Sequence, residues 1–102
     1  MPVAELSVVP IGTGSPSVSR YVVEALKVIR RSGLTCELSS MGTAVEGPLP
    51  KILAVVKAVH ESAFRLGAER VITTLKIDER RDKPLSIAGK KRAVVVGMRR
   101  TS

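Results

Sequence analysis

The sequence predicts an α+β fold: a ferredoxin-like βαββαβ sandwich with an additional C-terminal strand. Three observations predict it. Strand-like segments recur at 3–10, 34–40, 43–47 and 70–78, and segments of helical period fill the first and third intervals. Arg31-Ser32-Gly33 and Arg65-Leu66-Gly67 form a faint repeat, each closing a helix and leading into a strand, as two βαβ halves require. The chain has 102 residues, 44% of them hydrophobic, which suits one small domain over 1–102 built from two layers.

Val3 to Pro10 alternates, with Ala4, Leu6 and Val8 on one side and Glu5, Ser7 and Val9 on the other, the pattern of a half-buried strand. Ile11 to Ser15 is a loop, and Ser15 followed by Pro16 reads as a helix cap and first position. Val18, Val22, Ala25, Leu26 and Ile29 then share one helical face. Arg30 and Arg31 suit the negative end of the helix dipole, and Gly33 supplies a left-handed cap. Leu34 to Ser40 alternates again, and Ser40-Met41-Gly42 is a tight turn into a return strand, Thr43 to Gly47.

Pro48-Leu49-Pro50 ends that hairpin and opens a second helix with Ile52, Val56, Val59, Ala63 and Leu66 as its stripe and Gly67 as its cap. Arg70 to Asp78 is a long strand rich in β-branched residues. Glu79 to Gly89 is a charged connection, Arg92 to Met98 is the expected extra strand, and residues 99–102 are expected to fray.

Composition excludes several classes of function. Aromatic residues are only Tyr21 and Phe64, with no tryptophan, so there is no platform for stacking single-stranded bases. One cysteine, Cys36, and one histidine, His60, leave no intrachain disulfide and no zinc-spaced ligand pair, and no cofactor or metal is expected. No apolar run, Ala93 to Val96 included, approaches the ~20 residues of a membrane span. The start, Met1-Pro2-Val3-Ala4-Glu5, lacks the basic and apolar regions of a signal peptide, so a cytoplasmic location is expected.

The net charge of +8 resides in the second half: residues 1–50 carry four basic and four acidic side chains, residues 51–102 thirteen and five. Such asymmetry marks either a solvated basic end or a surface for phosphates and nucleic acid. A nucleic-acid-binding ferredoxin-like domain using this basic half is the alternative function, and Asp78, Glu79 and Asp82 oppose it by repelling phosphates.

Right-handed crossovers place both helices on one face of the sheet and leave the other bare. Three of the four acids in residues 1–50, Glu5, Glu37 and Glu46, fall on predicted strands, where acids are depleted. An exposed face where glutamates meet water accounts for this. So does an oligomer that buries the face around a polar pocket, in which a carboxylate needs a cationic or amino-bearing partner.

The remaining motifs are weaker. Gly12-Thr13-Gly14 lacks the third glycine of a dinucleotide fingerprint and the Gly-Lys-Ser/Thr of a P-loop, so an ordinary crossover loop is the better reading. His60-Glu61 has the residue types of an acid–base pair, but a lone helical histidine more often packs. Cys36 reads as a small core residue. The dense charges from Lys76 to Lys83 can pair locally or across a subunit contact.

Pro10-Ile11-Gly12, Met41-Gly42-Thr43 with Glu46-Gly47, Ser19 with Tyr21-Val22, His60-Glu61, and the run from Arg70 through Lys83 occur in an order and spacing that resemble the small thiamine-binding protein family. The likeness runs over roughly residues 3–98, with Glu79 standing where an aspartate is expected. The resemblance implies a ferredoxin-like subunit that assembles into dimers and tetramers. It also implies non-catalytic binding of thiamine, or its hydroxymethylpyrimidine moiety, in a pocket at the sheet and subunit interface, with no enzymatic activity. A permanent thiazolium charge calls for carboxylates, and the aminopyrimidine for acceptors and donors. Glu37 and Glu46, with Glu5 behind them, are the expected acceptors; Ser7, Ser19, Thr43 and Thr73 the hydroxyls; Pro10 and Met41 the apolar walls.

Overall fold

The first strand, β1 (Val3–Ile11), is the longest-range organiser of the chain, because it pairs antiparallel on both sides. The structure is a computed structural model and describes residues 1–101. After β1 come α1 (Ser19–Arg31), β2 (Thr35–Leu38), β3 (Thr43–Glu46), α2 (Leu49–Arg65), β4 (Arg70–Asp78) and α3 (Ile87–Thr101). The strands form one antiparallel sheet in the order β2-β3-β1-β4, the ferredoxin-like topology expected.

The core lies between this sheet and the pair α1/α2. Ala4 and Leu6 of β1, Val45 of β3, Ile29 of α1 and Ile52, Val55 and Val59 of α2 form its buried cluster, with Cys36 packed at its margin. On α2 the buried residues are Ile52, Val55, Val59, Ser62 and Ala63, one helical stripe, and Ser62 Oγ donates to Val59 O so that its burial leaves no hydroxyl unsatisfied. Both helices end on glycines in the left-handed region, Gly33 at φ +79° and Gly67 at φ +102°, whose N–H groups close back on Arg30 O and Phe64 O.

The start of α1 differs from expectation. Ser15 does not cap it; its hydroxyl accepts from Ser17 N in a local turn, and the helix begins at Ser19 after Val18. The buried stripe accordingly turns towards Tyr21 and Ile29, while Val22 is exposed.

The C-terminal element is the main correction. Arg92 to Met98 is not a strand but the body of α3, which runs on through residues 99–101, while Ser102 lies outside the described residues. Val94-Val95-Val96 favours strand by local propensity, but propensity is a weak preference. The helix is nucleated from its N-terminal side instead. Ser86 Oγ accepts from Gly89 N at 2.9 Å, Lys90 N reaches Ser86 O, and Glu46 Oε2 on β3 accepts from Ile87 N at 2.8 Å. Two donors that the first turn would leave unpaired, Ile87 N and Gly89 N, are thus satisfied, and Lys90 N makes the first intrahelical bond. The expected bare sheet face is therefore covered at one end by the first turns of α3.

Candidate functional site

Strand register sets the site. On the sheet face opposite α1 and α2, Glu37 of β2, Ala44 of β3, Glu5 of β1 and Lys76 of β4 stand side by side in one row across the sheet. The next row towards the start of β1 is Thr35, Glu46, Val3 and Asp78. Two strand spacings separate the stems of Glu37 and Glu5 by about 10 Å. Between them the side chain is only a methyl group, Ala44, so the row is a hollow with a carboxylate at either side. Alternation puts these residues on one face because each strand contributes every second side chain to it.

α3 supplies the wall. Lys91 Nζ bonds Glu37 Oε1 at 2.6 Å, and Lys90 pairs with Asp78 at the end of β4. With Ile87 these lysines close one side of a hollow of about 380 Å³ floored by Val3, Glu5 and Ala44 on the open face. That volume falls in the range of small-molecule sites. Both ion pairs are about half-exposed, so each is an exchangeable contact rather than a fixed strut.

Two further cavities flank it. One of about 390 Å³ lies on the other side of α3's first turn, between Thr35, Cys36, Glu46 and Ala88, and shares Glu37 and Lys91 with the first. Another, of about 280 Å³, opens where β3 stops short of the second half of β1, between Ser7, Val22 of α1 and the turn carrying Met41, with Thr43 at its base.

The predicted site residues divide accordingly. Glu5 and Glu37 line the first hollow, and Glu46 stands one row away with a carboxylate oxygen on the α3 backbone. Ser7, Thr43 and Met41 line the cavity by α1 instead; Thr43 is buried on the helix-covered face and Met41 is 87% exposed in the turn. Thr73 is bonded to His60 Nδ1 at 2.7 Å on the helix side. Ser19 at the start of α1 and Pro10 at the end of β1 line none of the three cavities. His60 and Glu61 also lie outside all three, and His60 packs edge-on against Phe64 at 5.3 Å.

Sequence reasoning missed Lys76, Asp78, Ile87, Lys90 and Lys91, all of which line the hollow. A signal was present. Ser86 before Ile87, with lysines one turn later, is a cap followed by helical spacing.

Comparison with known proteins places the chain in one group. A family model described as thiamine-binding protein matches residues 4–95. The Bacillus subtilis protein YqgV of the UPF0045 group is 38% identical over 94 residues, 88% of this chain and 90% of that one. A UPF0045 protein of Methanothermobacter thermautotrophicus is 42% identical over 92 residues, 89% of this chain and 93% of its own. Among solved structures, a hypothetical protein of Methanocaldococcus jannaschii superposes with a TM-score of 0.86 at 41% identity, over 91% of this chain and 94% of that one. A Bacillus cereus domain of unknown function follows at 0.78 and 35%, over 87% and 85%. No helix among the described residues is long and apolar enough to cross a membrane.

Proposed function

The chain belongs to the thiamine-binding protein family, and on that premise we propose that it binds thiamine, or its hydroxymethylpyrimidine moiety, without catalysis, in the hollow between Glu5 and Glu37. The observation that carries this reading is the row Glu37–Ala44–Glu5 with Lys91 resting on Glu37. The row already holds two cations from the chain itself, Lys76 beside Glu5 and Lys91 on Glu37. A ligand with a fixed positive charge can take the place of Lys91, drawn by two carboxylates across a floor small enough for a ring. The exocyclic amine of the pyrimidine donates to a carboxylate, and its ring nitrogens accept from Lys76 or Lys90, so that each ligand group meets its complement. Glu46 holds the wall in place through α3, and Ser7, Thr43 and Met41 form a neighbouring subsite rather than the charged one.

The hollow is open on the side away from the sheet, and the same reading has a second copy of the chain closing it, as a dimer that pairs into a tetramer. A nucleic-acid role for the basic half is the weaker reading: the open face carries carboxylates, and both aromatic residues lie on α1 and α2, behind the sheet.

Isothermal titration with thiamine and with hydroxymethylpyrimidine tests the proposal. Glu37→Gln and Glu5→Gln are each expected to weaken thiamine binding about tenfold, ~1.4 kcal/mol. The uncharged pyrimidine should lose less. Absence of both heat and thermal stabilisation with every pyrimidine tried counts against the reading, because a ligand of the native state must raise the melting temperature.

A further inference from the structure

The hollow between Glu5 and Glu37 is balanced in charge. Its carboxylates are Glu5, Glu37 and Asp78, and its ammonium groups are Lys76, Lys90 and Lys91. Each carboxylate has its lysine: Lys91 Nζ lies 2.6 Å from Glu37 Oε1, Lys90 pairs with Asp78, and Lys76 stands beside Glu5 in the strand register. A guest that is only a cation upsets this arrangement. It takes Glu37, displaces Lys91 and leaves that ammonium without its counter-charge, in a chain whose net charge is already +8. A guest that carries an anion next to its cation gives the released ammonium a new partner.

We propose that the hollow selects the phosphate monoester of its cationic ligand over the free alcohol, with Lys91, released from Glu37, and Lys90 as the residues that bind the phosphate. This rests on the thiamine reading proposed above and adds to it the phosphorylation state that the site prefers.

The placement of the two lysines supports the assignment. Glu37 and Asp78 lie on β2 and β4, the two edges of the sheet, three strand spacings or about 14 Å apart. Lys90 and Lys91 are adjacent on α3, with Cα atoms ~3.8 Å apart. Their side chains therefore splay in opposite directions across the hollow to reach their present partners. Both pairs are about half-exposed, so either is released at small cost. Once released, two flexible four-carbon stems with neighbouring roots can turn inward onto one oxyanion. In a thiamine monoester the phosphate hangs from the cationic ring by a short ethyl arm, so the anion arrives next to the carboxylate that Lys91 has just left. The end of α3 does not compete for it, because Ile87 N already donates to Glu46 Oε2. Lys76, beside Glu5, remains for the pyrimidine. Long-range charge acts in the same direction. A phosphate monoester carries about −1.5 to −2 at neutral pH, so the ester is a net anion and is drawn to a chain that repels the free cation.

Isothermal titration of the full chain with thiamine and with thiamine monophosphate, at one low ionic strength, tests the proposal. The monophosphate should bind about tenfold more tightly, the effect of a charge-assisted contact at a half-exposed site. Lys91→Met should move the two ligands in opposite directions, tightening thiamine by removing its competitor and weakening the monophosphate by removing its partner. Lys57→Met, on the exposed side of α2 behind the sheet, should leave the preference as it is. Circular dichroism confirms that each variant is folded. The unaltered chain gives an independent reading: inorganic phosphate should tighten the binding of thiamine, since each ligand favours the other by the same factor, and should weaken that of the monophosphate by competition. Equal or weaker binding of the monophosphate by the unaltered chain overturns the proposal and leaves the thiamine reading standing. So does a Lys91→Met variant that moves both ligands in the same direction, or inorganic phosphate without effect on either. If neither thiamine nor its monophosphate binds, the proposed function fails, and this inference with it.

Discussion

Lys91 and Glu37 show how one side chain can act as a stand-in for a ligand. The ammonium lies 2.6 Å from the carboxylate but both partners are about half in water, so the pair contributes at most about 1 kcal/mol. A cationic guest that takes Glu37 must displace Lys91. Lys91→Met keeps the length of the wall and removes the competitor, and is expected to tighten thiamine binding by about two- to fivefold. Unchanged or weaker binding in calorimetry would show that Lys91 helps the ligand instead.

Arg80 and Asp82 illustrate the same physics away from the site. The Arg80 guanidinium grips both oxygens of Asp82, with Nε to Oδ1 at 2.7 Å, and holds that carboxyl below the ordinary aspartate value. The contribution of this bond to the order of the loop is complete above the ordinary aspartate value and is lost as pH falls through the lowered one. Carboxyl titration by NMR should give Asp82 a midpoint below the ordinary value, and Arg80→Gln should return it there.

At the scale of the element, α2 and α3 contrast two ways of making a helix. α2 is held by tertiary burial: Ile52 and Val59 are fully enclosed beneath the sheet, and the helix follows from a stripe readable in the sequence. α3 is held by its first turn, where the Ser86 hydroxyl and the Glu46 carboxylate take the N–H groups of Gly89 and Ile87. Replacing Ser86 by alanine is expected to cost the helix about 1 kcal/mol. Amide exchange in α3 should quicken while the melting of the α1/α2 core stays in place, and Ser86→Asp should restore the cap. Equal loss in core and α3 would mean that the helix and the sandwich unfold as one unit.

At the scale of the molecule, the sheet joins parts of the chain that local patterns treat separately. Glu5, Glu37 and Ala44 come from three strands, and their row exists only because β1 and β2 both pair with β3 in one register. Alternation placed Glu5 and Glu37 on the same face in advance, since a side chain's face within a strand is a local property. It could not place Lys76 opposite Glu5, or bring Lys91 across 54 residues to Glu37, because such contacts depend on where a distant segment docks. Thr43 and Thr73, grouped with the glutamates by their chemistry, lie instead on the helix side, a distinction that hydroxyl content does not encode.

By itself the sequence determined the order of the first six elements, the face of α2 that enters the core, the glycine ends of α1 and α2, and the family, all of which rest on periodicity and short motifs carried within single segments. Only the tertiary structure decided that residues 87–101 are a helix and that its first turns wall a hollow over two carboxylates. The physical reason is that the strand preference of three valines amounts to a fraction of a kcal/mol each, and a cap assembled from Ser86 and a carboxylate of β3 outweighs it.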